Sequence, residues 1–93
     1  MFIGILTVDL RLEGCNSLKE KRYRLRKLRD LFGKSTNSAV CESKYQNKIK
    51  LSQWSFVVIG NDKKKIDSSL SKIEVRIDKS IDAYNINHEK EII

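Results

Sequence analysis

The 93-residue sequence has no proline, one histidine, one tryptophan and two cysteines. Without proline there is no stiff linker and no Pro-rich ligand segment. Cys15 and Cys41 are too far apart for a CxxC pair, and His88 stands far from both. Zinc sites need about four ligands, usually in paired spacings, so no metal site and no cofactor are expected. The cysteines read as reduced thiols of a cytoplasmic protein. Cys15 precedes a helix start, where backbone amides can lower a thiol pKa, so it is the one candidate for a reactive thiol. No stretch approaches the ~20 apolar residues of a membrane helix. The apolar start, Met1 to Leu12, lacks basic residues at its front and is interrupted by Asp9 and Arg11, unlike a signal peptide. No Ser/His/Asp set, paired carboxylates or phosphate-cradling P-loop is evident, and no enzyme is expected.

What is present suits one small domain, residues 1–93. Hydrophobic residues make up 40% of the chain, enough for one core, and 33% are charged. The formal net charge is +7. Positive charge gathers in Arg11–Lys34 and Lys44–Lys65, while Ile66–Ile93 is net acidic. One side of the molecule is therefore expected to attract anions.

Met1 to Leu12 alternates as a strand, with Phe2, Gly4, Leu6, Val8, Leu10 and Leu12 on the face expected to meet a core. Gly14 marks a turn. Ser17 and Glu20 have capping-box spacing at a helix start. Leu18, Leu25, Leu28 and Phe32, with Leu31 beside them, continue that helix at helical spacing, and Gly33 closes it. Ser38–Ser43 reads as a short strand, Lys44–Ser52 as a basic loop and Gln53–Gly60 as an interior strand. Asn61 and Asp62 are caps for a second helix, whose stripe is Ile66, Leu70, Ile73, Ile77 and Ile81. Tyr84–Ile92 is the last strand. The order β-α-β-β-α-β predicts an α+β, ferredoxin-like domain: a four-stranded antiparallel sheet, order 4-1-3-2, with two helices on one face.

The segment Ser17-Leu18-Lys19-Glu20-Lys21-Arg22, following a strand rich in Val, Leu and Arg, resembles the YlxP-like family of small bacterial proteins, a domain of unknown function. The likeness continues at Cys41-Glu42, Gln46 and Gly60-Asn61-Asp62. It implies a ferredoxin-like fold. Genes of that family often sit near translation and ribosome-maturation genes, which implies a role with RNA or the ribosome. Where the family usually has His-Gln-Asp, this chain has Tyr45-Gln46-Asn47, so a metal or acid–base role for that loop loses its residues. The family's small residue before the helix is Cys15 here, which weakens a catalytic thiol.

Lys19, Arg22, Arg26 and Arg29 form one stripe of the first helix, with Tyr23 and Lys27 beside it. Planar guanidinium forks suit phosphate oxygens, and phosphate contacts dominate nucleic-acid affinity. Lys44, Tyr45, Lys48 and Lys50 place basic residues around an aromatic, a pattern that grips a backbone and stacks a base. Lys63, Lys64 and Lys65 open the second helix against its dipole. The expected partner is structured RNA or a ribosomal particle. The third strand, Gln53 to Gly60, does not match the aromatic octamer of RNA-recognition motifs, so Trp54 and Phe56 are expected in the core. Two alternatives remain. Ile3, Ile5, Val57 and Ile59 would make an apolar patch on the open sheet face, suited to a homodimer or another partner. An acylphosphatase-like enzyme fits less well, because Glu13 in the turn after the first strand would repel its substrate.

Overall fold

Small and apolar residues at every second position carry β1 (Phe2–Arg11) through the centre of a sheet. The computed structural model describes residues 1–30 and 35–93. Gly4, Leu6, Val8 and Leu10 point inward, as the alternation predicts. β1 pairs antiparallel with β3 (Leu51–Gly60) on one side and with β4 (Tyr84–Ile92) on the other. β2 (Ser38–Lys44) pairs with the far side of β3. The order β2-β3-β1-β4 is the expected 4-1-3-2 read from the opposite edge.

The first helical arm differs from the single helix expected. It comprises α1 (Leu18–Leu25) and a short α2 (Lys27–Asp30), separated at Arg26. Arg26 keeps right-handed helical angles. Its Nη1 donates to the Tyr23 carbonyl at 2.6 Å, an oxygen that in a regular helix accepts from the amide of Lys27. The expected closure of this arm by Leu31, Phe32 and Gly33 lies outside the described residues.

α3 (Lys63–Ser80) starts at Asp62, whose Oδ1 accepts from the amides of Lys64 and Lys65 at 3.0 and 3.2 Å. That carboxylate offsets the unfavourable lysines at the helix start. Ile66, Leu70, Ile73 and Ile77 are buried along one stripe, each contributing about 1.5–3 kcal/mol by leaving water. Leu25 and Leu28 of the first arm join the same cluster as Leu6, Val8, Phe56 and Leu70, so both helical arms cover one face of the sheet. Gly4 lets α3 approach, since a Cβ there would collide with Ile66 Cγ2 and lie 3.0 Å from Leu70 Cδ1.

Trp54 and Phe56 lie in the core, as expected. Cys15 is fully buried, and its thiol donates to the Ser17 carbonyl at 3.5 Å. It is not presented to solvent, which removes the geometry a reactive thiol needs.

Candidate nucleic-acid interface

The start of α1 fixes the rotation of everything that follows on it. Ser17 Oγ accepts from the Glu20 amide at 3.0 Å, and Glu20 Oε2 accepts from the Asn16 amide at 2.9 Å. The reciprocal bond thus reaches one residue further back than in the usual capping box. With that phase, Leu18, Lys21, Leu25 and Leu28 share the inward face, three or four residues apart.

Lys21 is thus a buried cation, 3% exposed. Its Nζ donates to the carbonyls of Tyr45 and Lys48, both at 2.7 Å, and meets Glu42 Oε2 at 3.0 Å. An ammonium has three N–H donors, and these acceptors engage all of them. Glu42 Oε2 also accepts from Ser52 Oγ, which in turn accepts from Trp54 Nε1 at 2.7 Å. One chain of hydrogen bonds therefore joins α1, β2, β3 and the loop after β2.

The loop needs that support. Tyr45 has φ 67°, in the left-handed region that costs a non-glycine residue about 1–2 kcal/mol. Its carbonyl accepts from the Lys48 amide at 3.0 Å as well as from Lys21. Lys44 Nζ lies 5.0 Å from the Tyr45 ring centroid. The backbone of this loop is thereby held to α1 at Tyr45 and Lys48.

Beside this network is a cleft of about 380 Å³, lined by Lys21, Arg22, Leu25, Arg26, Arg29, Asp30, Glu42 and Trp54. Three of the stripe residues expected from the sequence, Arg22, Arg26 and Arg29, come together here. Lys19 and Lys27 are exposed on the same arm but do not line the cleft. The Arg26 guanidinium lies 4.0 Å from the Tyr23 ring and that of Arg29 lies 5.7 Å from the Trp54 ring. Arg24 has a different task. It donates to the carbonyls of Asp82 and Glu13 at 3.0 and 2.9 Å and pairs with Asp82 Oδ2 at 3.2 Å, tying α1 to two turns.

The sequence reading missed Lys21, Asp30 and Glu42 as site residues. A signal existed for Lys21, which sits three residues after Leu18 and four before Leu25, on the apolar stripe. Nothing in the spacing marked Glu42 as its partner.

Elsewhere, Ile3 pairs directly with Ile59 and Ile5 with Val57 on the open sheet face. That face turns polar beyond them, where Ser55 donates to Ser43 at 2.8 Å and Gln53 to Asp9 at 2.9 Å. At the end of β1, Arg11 pairs with Glu13 at 3.3 Å, so the arginine next to that turn already faces a carboxylate. Among the described residues there is no group of three or more His, Cys, Asp or Glu side chains able to hold a metal ion. No described helix is long and apolar enough to cross a membrane.

The chain belongs to the family described as "Protein of unknown function (DUF503)", whose model matches residues 3–90. No curated protein matches it. Among solved structures it is similar to a structural-genomics protein, YJCS, at 11% identity and TM-score 0.57, over 96% of each chain. It is also similar to the de novo designed protein Ferredog-Diesel, at 10% identity and TM-score 0.52, over 96% of this chain and 83% of that one. SnoaB, a cofactor-independent oxygenase from Streptomyces nogalater, is similar at 7% identity and TM-score 0.53, over 99% and 90%. At such identities the likeness concerns the fold alone.

Proposed function

We propose that this chain is a cytoplasmic binding protein rather than an enzyme, and that it contacts structured RNA or a ribosomal particle through α1, α2 and the loop 45–50. The observation that carries the reading is the Lys21 ammonium. By holding the carbonyls of Tyr45 and Lys48, it joins two basic segments that are distant in sequence into one surface. Arg22 and Arg29 present guanidinium groups with no hydrogen bond or ion pair among the described residues, so they are available to phosphates. The likeness of Ser17–Arg22 to the YlxP-like family, with its translation-linked genes, supports the same partner.

The test is to identify what co-purifies with the protein at low salt. Ribosomal RNA that dissociates steeply as salt rises supports the reading, because each phosphate neutralised adds about −0.7 to −0.9 to the log–log slope. Recovery of the protein free of nucleic acid at low salt counts against it.

A second reading rests on the paired aliphatics Ile3/Ile59 and Ile5/Val57, which suit a homodimer packed through the open sheet face. Ile59, 40% exposed, is the most exposed of the four. A dimer by light scattering that persists in high salt and is lost in Ile59→Lys supports it. A monomer at high protein concentration rejects it.

A further inference from the structure

The cleft beside Trp54 carries free groups of both signs, which a surface built only for phosphates does not need. Arg22, Arg29 and the Asp30 carboxylate make no hydrogen bond or ion pair among the described residues, and the Arg29 guanidinium lies 5.7 Å from the Trp54 ring. Glu42 is committed through Oε2 to Lys21 and Ser52. The floor is apolar, formed by Leu25 and the Trp54 ring. At about 380 Å³ the cleft lies at the small end of ligand sites, which run from about 300 to 1,000 Å³.

We infer that this cleft takes one unpaired guanine of the bound RNA, with Asp30 reading its Watson–Crick edge and Arg22 and Arg29 holding its acceptor edge and phosphate. The inference rests on the RNA reading above. Guanine alone among the common bases offers two adjacent donors, N1–H and N2–H₂, which match the two oxygens of a carboxylate. Its O6 and N7 form an acceptor pair that suits an arginine fork. Adenine and cytosine each place a ring acceptor next to their amino group, which a carboxylate repels. Uracil has a single N–H flanked by two carbonyls. A purine face also suits an apolar floor, and sequence is read in RNA chiefly from unpaired bases in loops and bulges.

Trp54 is the only tryptophan in the chain and lines the cleft, so its fluorescence responds to a base bound there. The probes are stem–loop RNAs identical except for one loop base: guanine, inosine, adenine, cytosine or uracil. Binding of the guanine RNA is expected to change Trp54 emission and to be about tenfold tighter than that of the adenine RNA. Inosine, which lacks the N2 amino group, is expected in between. Asp30→Asn, on an exposed position of α2, is expected to erase the guanine preference while leaving the salt slope of RNA binding intact. RNA binding with a normal salt slope but equal affinity for all five bases overturns this inference and leaves the RNA reading standing. A guanine preference unchanged in Asp30→Asn overturns the assignment of the edge to Asp30. No binding of any stem–loop at low salt overturns the RNA reading, and the guanine site with it.

Discussion

Lys21 and Glu42 meet at 3.0 Å between α1 and β2, with the lysine side chain 4% and the glutamate side chain 17% exposed. The pair, together with the two loop carbonyls, sits where a leucine would continue the apolar stripe. Breaking such a pair by removing one partner costs about 3–5 kcal/mol, because the other is left uncompensated. Lys21→Met keeps most of the hydrocarbon length and deletes the charge. It is expected to destabilise the domain by about 3 kcal/mol in urea unfolding. Adding Glu42→Gln is expected to recover part of that loss, since the remaining partner no longer carries a buried charge. A single-variant loss within about 0.5 kcal/mol, the range of ordinary surface changes, would show that the network carries no stability.

Gly4 gives a second test, on the packing of α3 against β1. A methyl group there meets Ile66 Cγ2 and Leu70 Cδ1, both on buried side chains. Gly4→Ala is therefore expected to cost about 1–3 kcal/mol by overpacking. The double variant Gly4→Ala/Ile66→Ala should cost clearly less than the sum of its two single variants, because the smaller side chain at 66 makes room for the added methyl. Additive costs in thermal or urea unfolding would mean that the two positions do not compete for the same space.

The fold was legible because its strongest elements obey one period each. The stripe Ile66, Leu70, Ile73, Ile77 and Ile81 and the alternation of β1 each lead to the burial observed. β4 occupies Tyr84–Ile92, as predicted, although its pattern is poor, because an edge strand exposed on much of its length needs little apolar alternation. The site was half legible. Arg22, Arg26 and Arg29 stood out as a helical stripe, and the loop lysines as a cluster. That a lysine would be buried to hold the two together could not be read from composition, since a lysine on an apolar stripe is satisfied only by acceptors that come from elsewhere in the chain. Glu42 and the carbonyls of Tyr45 and Lys48 are such acceptors, all of them more than 20 residues from Lys21.

Lys90 on β4 donates to Asp67 on α3 at 2.9 Å. That hydrogen bond, with the charges of Asp67 and Glu74, holds the Lys90 ammonium above its ordinary value of 10.5, against a smaller opposing effect of burial. A lysine pKa raised on folding means that the folded state keeps its proton more tightly than the unfolded chain. The contribution is fully present below the unfolded value and is lost as pH rises through the folded one. The pair's contribution should therefore be full and constant around neutral pH, and a small increment should be lost above the ordinary lysine range. Unfolding measured against pH in wild type and Asp67→Asn should show a shallower alkaline decline in the variant. Identical alkaline profiles would mean that the pair does not couple β4 to α3 in solution.

The basic surface is tested most directly by removing cations that carry no hydrogen bond or ion pair, Arg29 keeping only its place 5.7 Å from the Trp54 ring. Arg22 and Arg29 are exposed and make no hydrogen bond or ion pair among the described residues, whereas Arg24 and Lys21 are committed to the fold. Arg22→Ala/Arg29→Ala should leave circular dichroism and unfolding nearly unchanged, since surface changes usually cost within about 0.5 kcal/mol each. If the two side chains hold phosphates, the double variant should bind structured RNA more weakly, with a log–log salt slope shallower by roughly 1–2 units. Charge alone would produce some loss, so the control matters. Lys72→Ala/Arg76→Ala removes the same charge from α3, away from the cleft and the loop. It should lower affinity only slightly and leave the slope nearly intact, because diffuse attraction is screened beyond about 10 Å at 0.1 M salt. Equal effects of the two double variants would return the α1–α2 arm to an ordinary solvated face. A selective effect of Arg22 and Arg29 would fix the phosphates at the cleft, because only direct neutralisation of a phosphate changes the number of counterions released.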